Sequence, residues 1–271
     1  MKIIDCFTFY NEIDILKYRL NLLNNSVDYF VIVEATHTHV GNEKPLYFDE
    51  IKHLFGELND KIIHIIVDDF PHKAPNISLN PTMWGDQWVN EQFQRNCIMR
   101  GVEKIPDLQG DDIIIITDAD EITDPRLLSH IKNGTLSITL NRIEMDLYYY
   151  NLNTKFTDKW TVGYLGRYDH ILNSGTTLAV LRCTRLAEIN NGGWHLSYFG
   201  DVKFIQNKLQ QFGHVEYSGD EYTNEDHITS KIQNGESVLK NPSHNMNKIS
   251  IKDNNNLPLL ALIYLTDYIS Y

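Results

Sequence analysis

Cysteine is scarce in this chain: Cys6, Cys97 and Cys183 are odd in number and far apart. That excludes a disulfide framework and a Cys-x-x-Cys metal knuckle, and buried free thiols in a reducing compartment are expected. Positive charge is short as well, with 24 Lys plus Arg against 36 Asp plus Glu and a formal net charge of -12. A nucleic-acid polyanion would be repelled over most of the surface, so no nucleic-acid partner is expected. A small anion such as a nucleotide is still admissible, provided a metal or a few cations reverse the sign locally. Long apolar runs are missing too. Asp5, Glu12 and Asp14 interrupt the amino terminus before a signal-peptide core is reached, and residues 257–265 are too short to cross a bilayer. No export signal and no membrane span are read, and a cytoplasmic location is expected. The Asn-x-Ser/Thr triplets at Asn24, Asn76 and Asn133 are then chance matches in an Asn-rich chain.

What remains is a chain of 271 residues, 42% hydrophobic and 22% charged, enough to bury a substantial core. Ile3–Phe9 reads as a strand, and Ile13, Leu16, Leu20 and Leu23 follow at helical steps. Further strand-like runs lie at 29–33, 62–67 and 112–117, with helical stretches at 49–58 and 86–104 between them. Pro71, Pro75 and Pro81 make 68–85 an irregular lid or rim. Asp124 and Pro125 cap and open a short helix that Gly134 ends. Runs 135–151 and 176–184 read as strands of a mixed or antiparallel region, and further helices are expected over 201–212 and 224–234. The fold class is α/β, with a mixed, mainly parallel sheet flanked by helices in a single domain. Residues 1–240 form that domain, divided at about residue 123; 241–271 read as a C-terminal extension.

The most informative segment is 113–121, in which four isoleucines and Thr117 deliver Asp118, Asp120 and Glu121 to the end of a strand. In an open α/β sheet, ligands bind in the crevice beyond the carboxyl ends of the strands. Two carboxylates one residue apart repel each other there, and a divalent cation suited to oxygen ligands, Mn2+ or Mg2+, is a natural compensation. The competing reading makes these acids solvated loop residues that cap the next helix. Two enzyme classes use an Asp-x-Asp at this place: GT-A glycosyltransferases and phosphatases with Asp-x-Asp-x-Thr/Val. Ile122 occupies the fifth position and three strand-like runs precede the motif, which makes the phosphatase a minor alternative.

Five blocks together resemble one family. Residues 5–12 (DCFTFYNE), 31–35 (VIVEA) with Thr38 and Gly41, 94–96 (QRN), 118–122 (DADEI) and 193–197 (GWHLS) look like glycosyltransferase family 17. That family includes the animal enzymes that add the bisecting N-acetylglucosamine to N-glycans. The blocks span about residues 5–216, and the match weakens after about Asn141. The resemblance implies a GT-A fold, a UDP-sugar donor (UDP-GlcNAc in the animal members), inversion at the anomeric carbon and a glycan acceptor. Negative charge developing on the diphosphate calls for a cation, and oxocarbenium character calls for a nearby carboxylate.

On that reading the acidic pair Asp118 and Asp120 grips the metal, Asp120 as a direct ligand and Asp118 through the ion, the ribose or a metal-bound water. Glu121 orients these groups or touches the donor sugar. His195 completes the metal shell or contacts phosphate, or else is a structural histidine beside a packed tryptophan. Lys208 neutralises diphosphate or is a solvated helix residue, with His214 nearby. Asn11 and Glu12 contact base and ribose, unless Asn11 merely caps the next helix. Arg95 reaches uracil or phosphate, or is a surface charge. Trp84, Trp88 and Trp160 are candidates for stacking on sugar rings or for the core. Glu216, Asp226, Asp169 and Asp146 are available as the general base, and spacing does not choose among them. A nucleotide-sugar-binding protein without turnover is the other alternative.

Overall fold

The computed structural model describes residues 1–239 and 246–269. Strand β1 (Ile3–Phe9) is followed by helix α1 (Ile13–Leu23), β2 (Tyr29–Ala35), the short α2 (Tyr47–Ile51) and β3 (Ile62–Val67). The irregular segment 68–85 leads into α3 (Asp86–Asn96), α4 (Ile98–Val102) and β4 (Ile113–Asp118). Next come β5 (Glu121–Thr123), α5 (Pro125–Lys132), β6 (Leu140–Tyr149), β7 (Thr154–Trp160) and β8 (Tyr164–Arg167). After α6 (Tyr168–Leu172) and α7 (Leu178–Cys183) run β9 (Ala187–Ser197), α8 (Val202–Gln211), α9 (Asp220–Thr223) and α10 (Glu225–Asn234). The described part of the tail holds β10 (Met246–Lys248) and α11 (Ala261–Tyr264).

Strand order is β10-β7-β6-β8-β4-β1-β2-β3, with β9 paired to both β5 and β6. β1 pairs in parallel with β2 on one side and β4 on the other, and β2 with β3. Beyond β4 the sheet is mixed: β8 runs antiparallel to β4 and β6, while β9 runs parallel to β6. The mixed α/β sheet flanked by helices is therefore the expected fold class.

Burial on both faces explains the near-continuous apolar strands. Alternate residues of β1 and β4 divide between two cores: Ile3, Phe7, Ile113 and Ile115 pack on the side of α1 and α5, whereas Ile4, Cys6, Ile114 and Ile116 pack on the side of α3 and α4. A smaller third core joins Tyr150 and Tyr198 to Ile205, Leu209 and Ile228 of α8 and α10. Asp124 caps α5 by accepting from the Arg126 amide at 2.7 Å, and Gly134 just beyond the helix has φ +69°, as the sequence led one to expect.

Three expectations need correction. Cys6 and Cys97 are buried free thiols, but Cys183, at the end of α7, is exposed. Residues 178–183 are not a strand but the helix α7, capped by Thr177, whose hydroxyl accepts from the Val180 amide. The six residues LAVLRC are too few for apolar periodicity to distinguish a buried helical turn from a strand. The helix expected over 86–104 is two helices, α3 and α4, meeting at Cys97. The boundary expected at 240–241 lies outside the described residues; the described tail sends Ala261 and Leu265 into the first core and pairs β10 with β7.

Candidate functional site

Because β1 sends its chain to β2 on one side while β4 returns on the other, the two strands part at their carboxyl ends, the place where such sheets open a crevice. Asp118 ends β4 directly beside Thr8 of β1, whose hydroxyl donates to Asp118 Oδ1 at 3.2 Å. A buried guanidinium fixes the turn that follows. Arg19 on the inner face of α1 binds both oxygens of buried Asp5 at 2.8 and 2.6 Å. It also donates to the Thr117 hydroxyl and to the carbonyls of Asp118, Ala119 and Glu121. Each donor is matched, which is the condition for burying an ion pair without penalty.

The three acids then diverge. Asp118 meets Arg95 of α3 at 2.8 Å through Oδ1 and Arg182 of α7 at 2.5 Å through Oδ2. Glu121 is fully buried: its carboxylate accepts from Trp160 Nε1 at 2.6 Å, from Arg182 at 2.7 and 3.0 Å and from the Asp118 amide at 2.9 Å. Asp120 faces Lys208 of α8 at 2.9 Å through Oδ2 and His195 Nε2 of β9 at 3.5 Å through Oδ1. Lys208 also reaches Glu12 at 3.4 Å, and Glu12 Oε2 accepts from the amides of Tyr10 and Asn11.

Burial pushes the carboxyls of Asp118 and Asp120 up, but Arg182 and Arg95 around the first and Lys208 and His195 around the second outweigh it and hold both well below the usual range. The same pairing keeps the cations charged. Burial alone would lower Arg182 and Lys208; Asp118 and Glu121 raise the first, and Asp120 and Glu12 the second, above their ordinary values.

Asp118, Asp120, Glu121, Glu12, Arg95, His195 and Lys208 are thus brought into one continuous cluster. Asn11 adjoins it through Glu12; its Oδ1 is buried without a partner, so it does not cap α1. Trp160 belongs to the cluster as a donor to Glu121, with its ring centroid 4.5 Å from that of His195. Trp88 is buried edge-on against His214 at 4.7 Å, and Trp84 stands 89% exposed on the 68–85 rim. The four candidate bases lie apart from one another. Asp169 is tied to Gly110, at the amino end of β4 and so at the opposite end of that strand from Asp118. Asp146 is bound by Lys155 and Lys159 and stands in register with Trp194, so it faces away from His195. Asp226 is exposed in the first turn of α10, and Glu216 pairs with His214 at 2.8 Å beyond α8.

Arg182 was not singled out in the sequence, although it is the cation that joins Asp118 to Glu121. The available signal was a lone arginine inside an apolar run. Asn96 accepts from the Ala179 amide at 3.0 Å and so ties the start of α7 to α3. The block Gln94-Arg95-Asn96 therefore has three uses: Gln94 donates to the Val33 carbonyl, Arg95 holds Asp118 and Asn96 positions α7.

Among the described residues no group of three or more His, Cys, Asp or Glu is arranged to hold a metal unaided. Asp120 Oδ1 and His195 Nε2 converge, whereas both oxygens of Asp118 are occupied by guanidinium groups. One carboxylate and one imidazole suit Mg2+ or Mn2+ when substrate phosphates and water supply the remaining ligands. No described helix is long and apolar enough to cross a membrane.

The chain is similar to beta-1,4-mannosyl-glycoprotein 4-beta-N-acetylglucosaminyltransferase of Rattus norvegicus and of Homo sapiens, 31% identical to each over 124 residues. The match takes in 45% of this chain but only 21% and 22% of those proteins. Among solved structures, S. aureus TarS 1–349 has a TM-score of 0.38 at 10% identity, covering 87% of this chain and 71% of that one. The 2-C-methyl-D-erythritol 4-phosphate cytidylyltransferase of Francisella tularensis has a TM-score of 0.35 at 10% identity, covering 72% and 90%. Likenesses that distant do not bear on the reaction. The family model for glycosyltransferase family 17, in contrast, matches residues 1–245, a span that contains every member of the acid and cation cluster, and the chain belongs to that family.

Proposed function

We propose that this chain transfers a sugar, N-acetylglucosamine from UDP-GlcNAc, to a glycan hydroxyl with inversion, using Mn2+ or Mg2+. The observation that carries the reading is the Asp120–His195 pair beside Lys208 and Arg182 at the mouth of the β1–β4 crevice. The acids are matched by arginine and lysine. A dianionic diphosphate entering with a divalent cation adds no net charge, so both can bind without leaving either sign uncompensated.

Asp120 and His195 would hold the metal, which when bound supplies electrostatic stabilisation of the departing diphosphate. Lys208 adds a second positive charge on the same side, and Arg182 and Arg95 keep Asp118 ionised and fixed to accept from the ribose. Asn11 and Glu12 form the wall for the nucleoside. The acceptor hydroxyl attacks the anomeric carbon from the face opposite the diphosphate, the bond to the leaving oxygen breaks with its electron pair, and a carboxylate takes the hydroxyl proton. Glu121, locked by Trp160 and Arg182, orients Arg182 and the Asp118 amide and is not free to move a proton.

Thermal unfolding with UDP, UDP-GlcNAc and other UDP-sugars, each with and without Mn2+, tests the reading, since a ligand bound to the native state raises apparent stability. Stabilisation by UDP-GlcNAc that requires Mn2+, followed by UDP release, is expected. No shift with any nucleotide sugar overturns it, and a shift without turnover identifies a binding protein.

A further inference from the structure

A second concavity, of about 290 Å³, lies next to the cluster where the turn after β1 meets the turn after β9. Asn11 and Asp14 come from the first turn, Phe199, Asp201 and Phe204 from the second, and Tyr268 from the tail. The Phe199 and Tyr268 rings lie 5.2 Å apart at 41°. Phe204 takes its place because residue 200 is glycine: a Cβ there would come within 2.1 Å of Phe204 Cδ1. Side-chain oxygens supply the polar wall. Asp14 accepts from the Tyr268 hydroxyl at 3.1 Å, Asp201 from the Phe204 amide at 2.7 Å, and Asn11 Oδ1 has no partner.

No lysine or arginine is among the lining residues. Three carboxylates line it, Glu12 paired with Lys208 at 3.4 Å and Asp14 with Lys17 at 3.5 Å, so the pocket stays net acidic; with its aromatic surface it disfavours a phosphate and suits a neutral ring that presents C–H faces and O–H donors. The volume sits near the low end for small-molecule sites and has room for a single sugar ring rather than an oligosaccharide. Asn11 and Glu12, placed above in the nucleoside wall, also line this pocket, so the two sites share that wall, and Glu12 connects the pocket through Lys208 to Asp120. We infer that this pocket is the acceptor subsite, holding one neutral pyranose of the acceptor glycan beside the reacting centre. The assignment to an acceptor rests on the glycosyl-transfer reading above; the binding of a pyranose does not.

Saturation-transfer NMR on the full chain tests it, with the methyl glycosides of glucose, mannose, galactose and N-acetylglucosamine as probes and no nucleotide present. At least one glycoside should show transfer that falls fivefold or more in Phe204→Ala and Asp14→Asn, while UDP affinity in Mn2+ changes less than twofold. Phe204→Leu, which keeps the apolar bulk, should show the same loss if the aromatic face is what binds, with a melting temperature closer to the parent. Absence of any glycoside signal in the parent overturns the inference, as does a signal that survives in all three variants. An equal loss of UDP affinity also overturns it by giving the pocket to the nucleotide. If the parent turns over no UDP-sugar but the glycoside signal disappears in the variants, glycosyl transfer fails and the pyranose site stands.

Discussion

Arg182 closes on Asp118 at 2.5 Å from a helix 64 residues further along the chain, and the same guanidinium reaches Glu121. A single cation therefore sets the spacing of the first and last acids of the Asp-Ala-Asp-Glu segment, and its removal is a sharper perturbation than the loss of any one acid.

Arg182→Ala should leave buried Glu121 and half-buried Asp118 without their shared partner, Asp118 keeping Arg95, and lower stability by up to about 3–5 kcal/mol, the usual loss when one side of a buried ion pair is removed. Urea denaturation of parent and variant measures this. Arg182→Lys should recover only part, because an ammonium cannot bridge both acids in the planar fork geometry. A loss within about 0.5 kcal/mol for Arg182→Ala would show that the pairings are not formed in solution.

Substitutions at the acids should separate metal from nucleotide. In Asp120→Asn the increment in melting temperature contributed by Mn2+ on top of UDP should vanish. His195→Asn should raise the Mn2+ concentration needed for half the effect by roughly tenfold or more. Asp118→Asn should weaken UDP itself while retaining a Mn2+ increment. If the Mn2+ increment survives intact in Asp120→Asn, the metal is held elsewhere.

Stability should be flat in mid-range pH and fall at both ends. Asp118 and Asp120 are depressed below 3.8 in the fold, so their contribution is complete above that value and is lost as pH falls through the native range below it. Lys208 is raised above 10.5, so its contribution is complete below that value and is lost as pH climbs past it. Melting temperatures should therefore hold from about pH 5 to about pH 9.5. Lys208→Met should lower the plateau and soften the alkaline limb, which calorimetry across a pH series would show.

Gly193→Ala tests the strand pairing that carries His195. A Cβ at residue 193 would come within 2.1 Å of the Ile122 carbonyl, so β5 and β9 cannot keep their register. A cost of about 1–3 kcal/mol or more is expected from overpacking, together with weaker Mn2+ dependence because Glu121 and His195 face each other across that pair. Gly219→Ala, where no atom lies within 4 Å of the added methyl, serves as the control and should behave like the parent.

Much of the first half of the chain was legible. Ile3–Phe9 and Ile62–Val67 were read to the residue, and β2 and β4 to within a few, because strands buried on both faces announce themselves as apolar runs between turn residues. The acids at the end of β4 were legible for the same reason: a run of isoleucine that ends in carboxylates has few structural uses. What escaped was whatever depended on contacts distant in sequence. Nothing in the LAVLRC segment says that Arg182 will meet Asp118, and Arg19 reads as an ordinary helix residue until Asp5 is seen beneath it. The role of Trp160 was similarly hidden, since an indole that donates to Glu121 has the same local pattern as one that stacks on a sugar. The pocket proposed for the acceptor was least legible because its walls come from two turns and a tail, none of which carries periodicity.

The guanidinium of Arg19, itself fully buried, fastens the carbonyls of Asp118, Ala119 and Glu121 and so holds the turn that carries the acids, out of reach of any substrate. A loop anchored in that way has its shape before a donor arrives and loses little freedom on meeting one. Diversification of specificity in such a scaffold is then confined to the rim, where the 68–85 segment and the turn after β9 can change without disturbing the foundation.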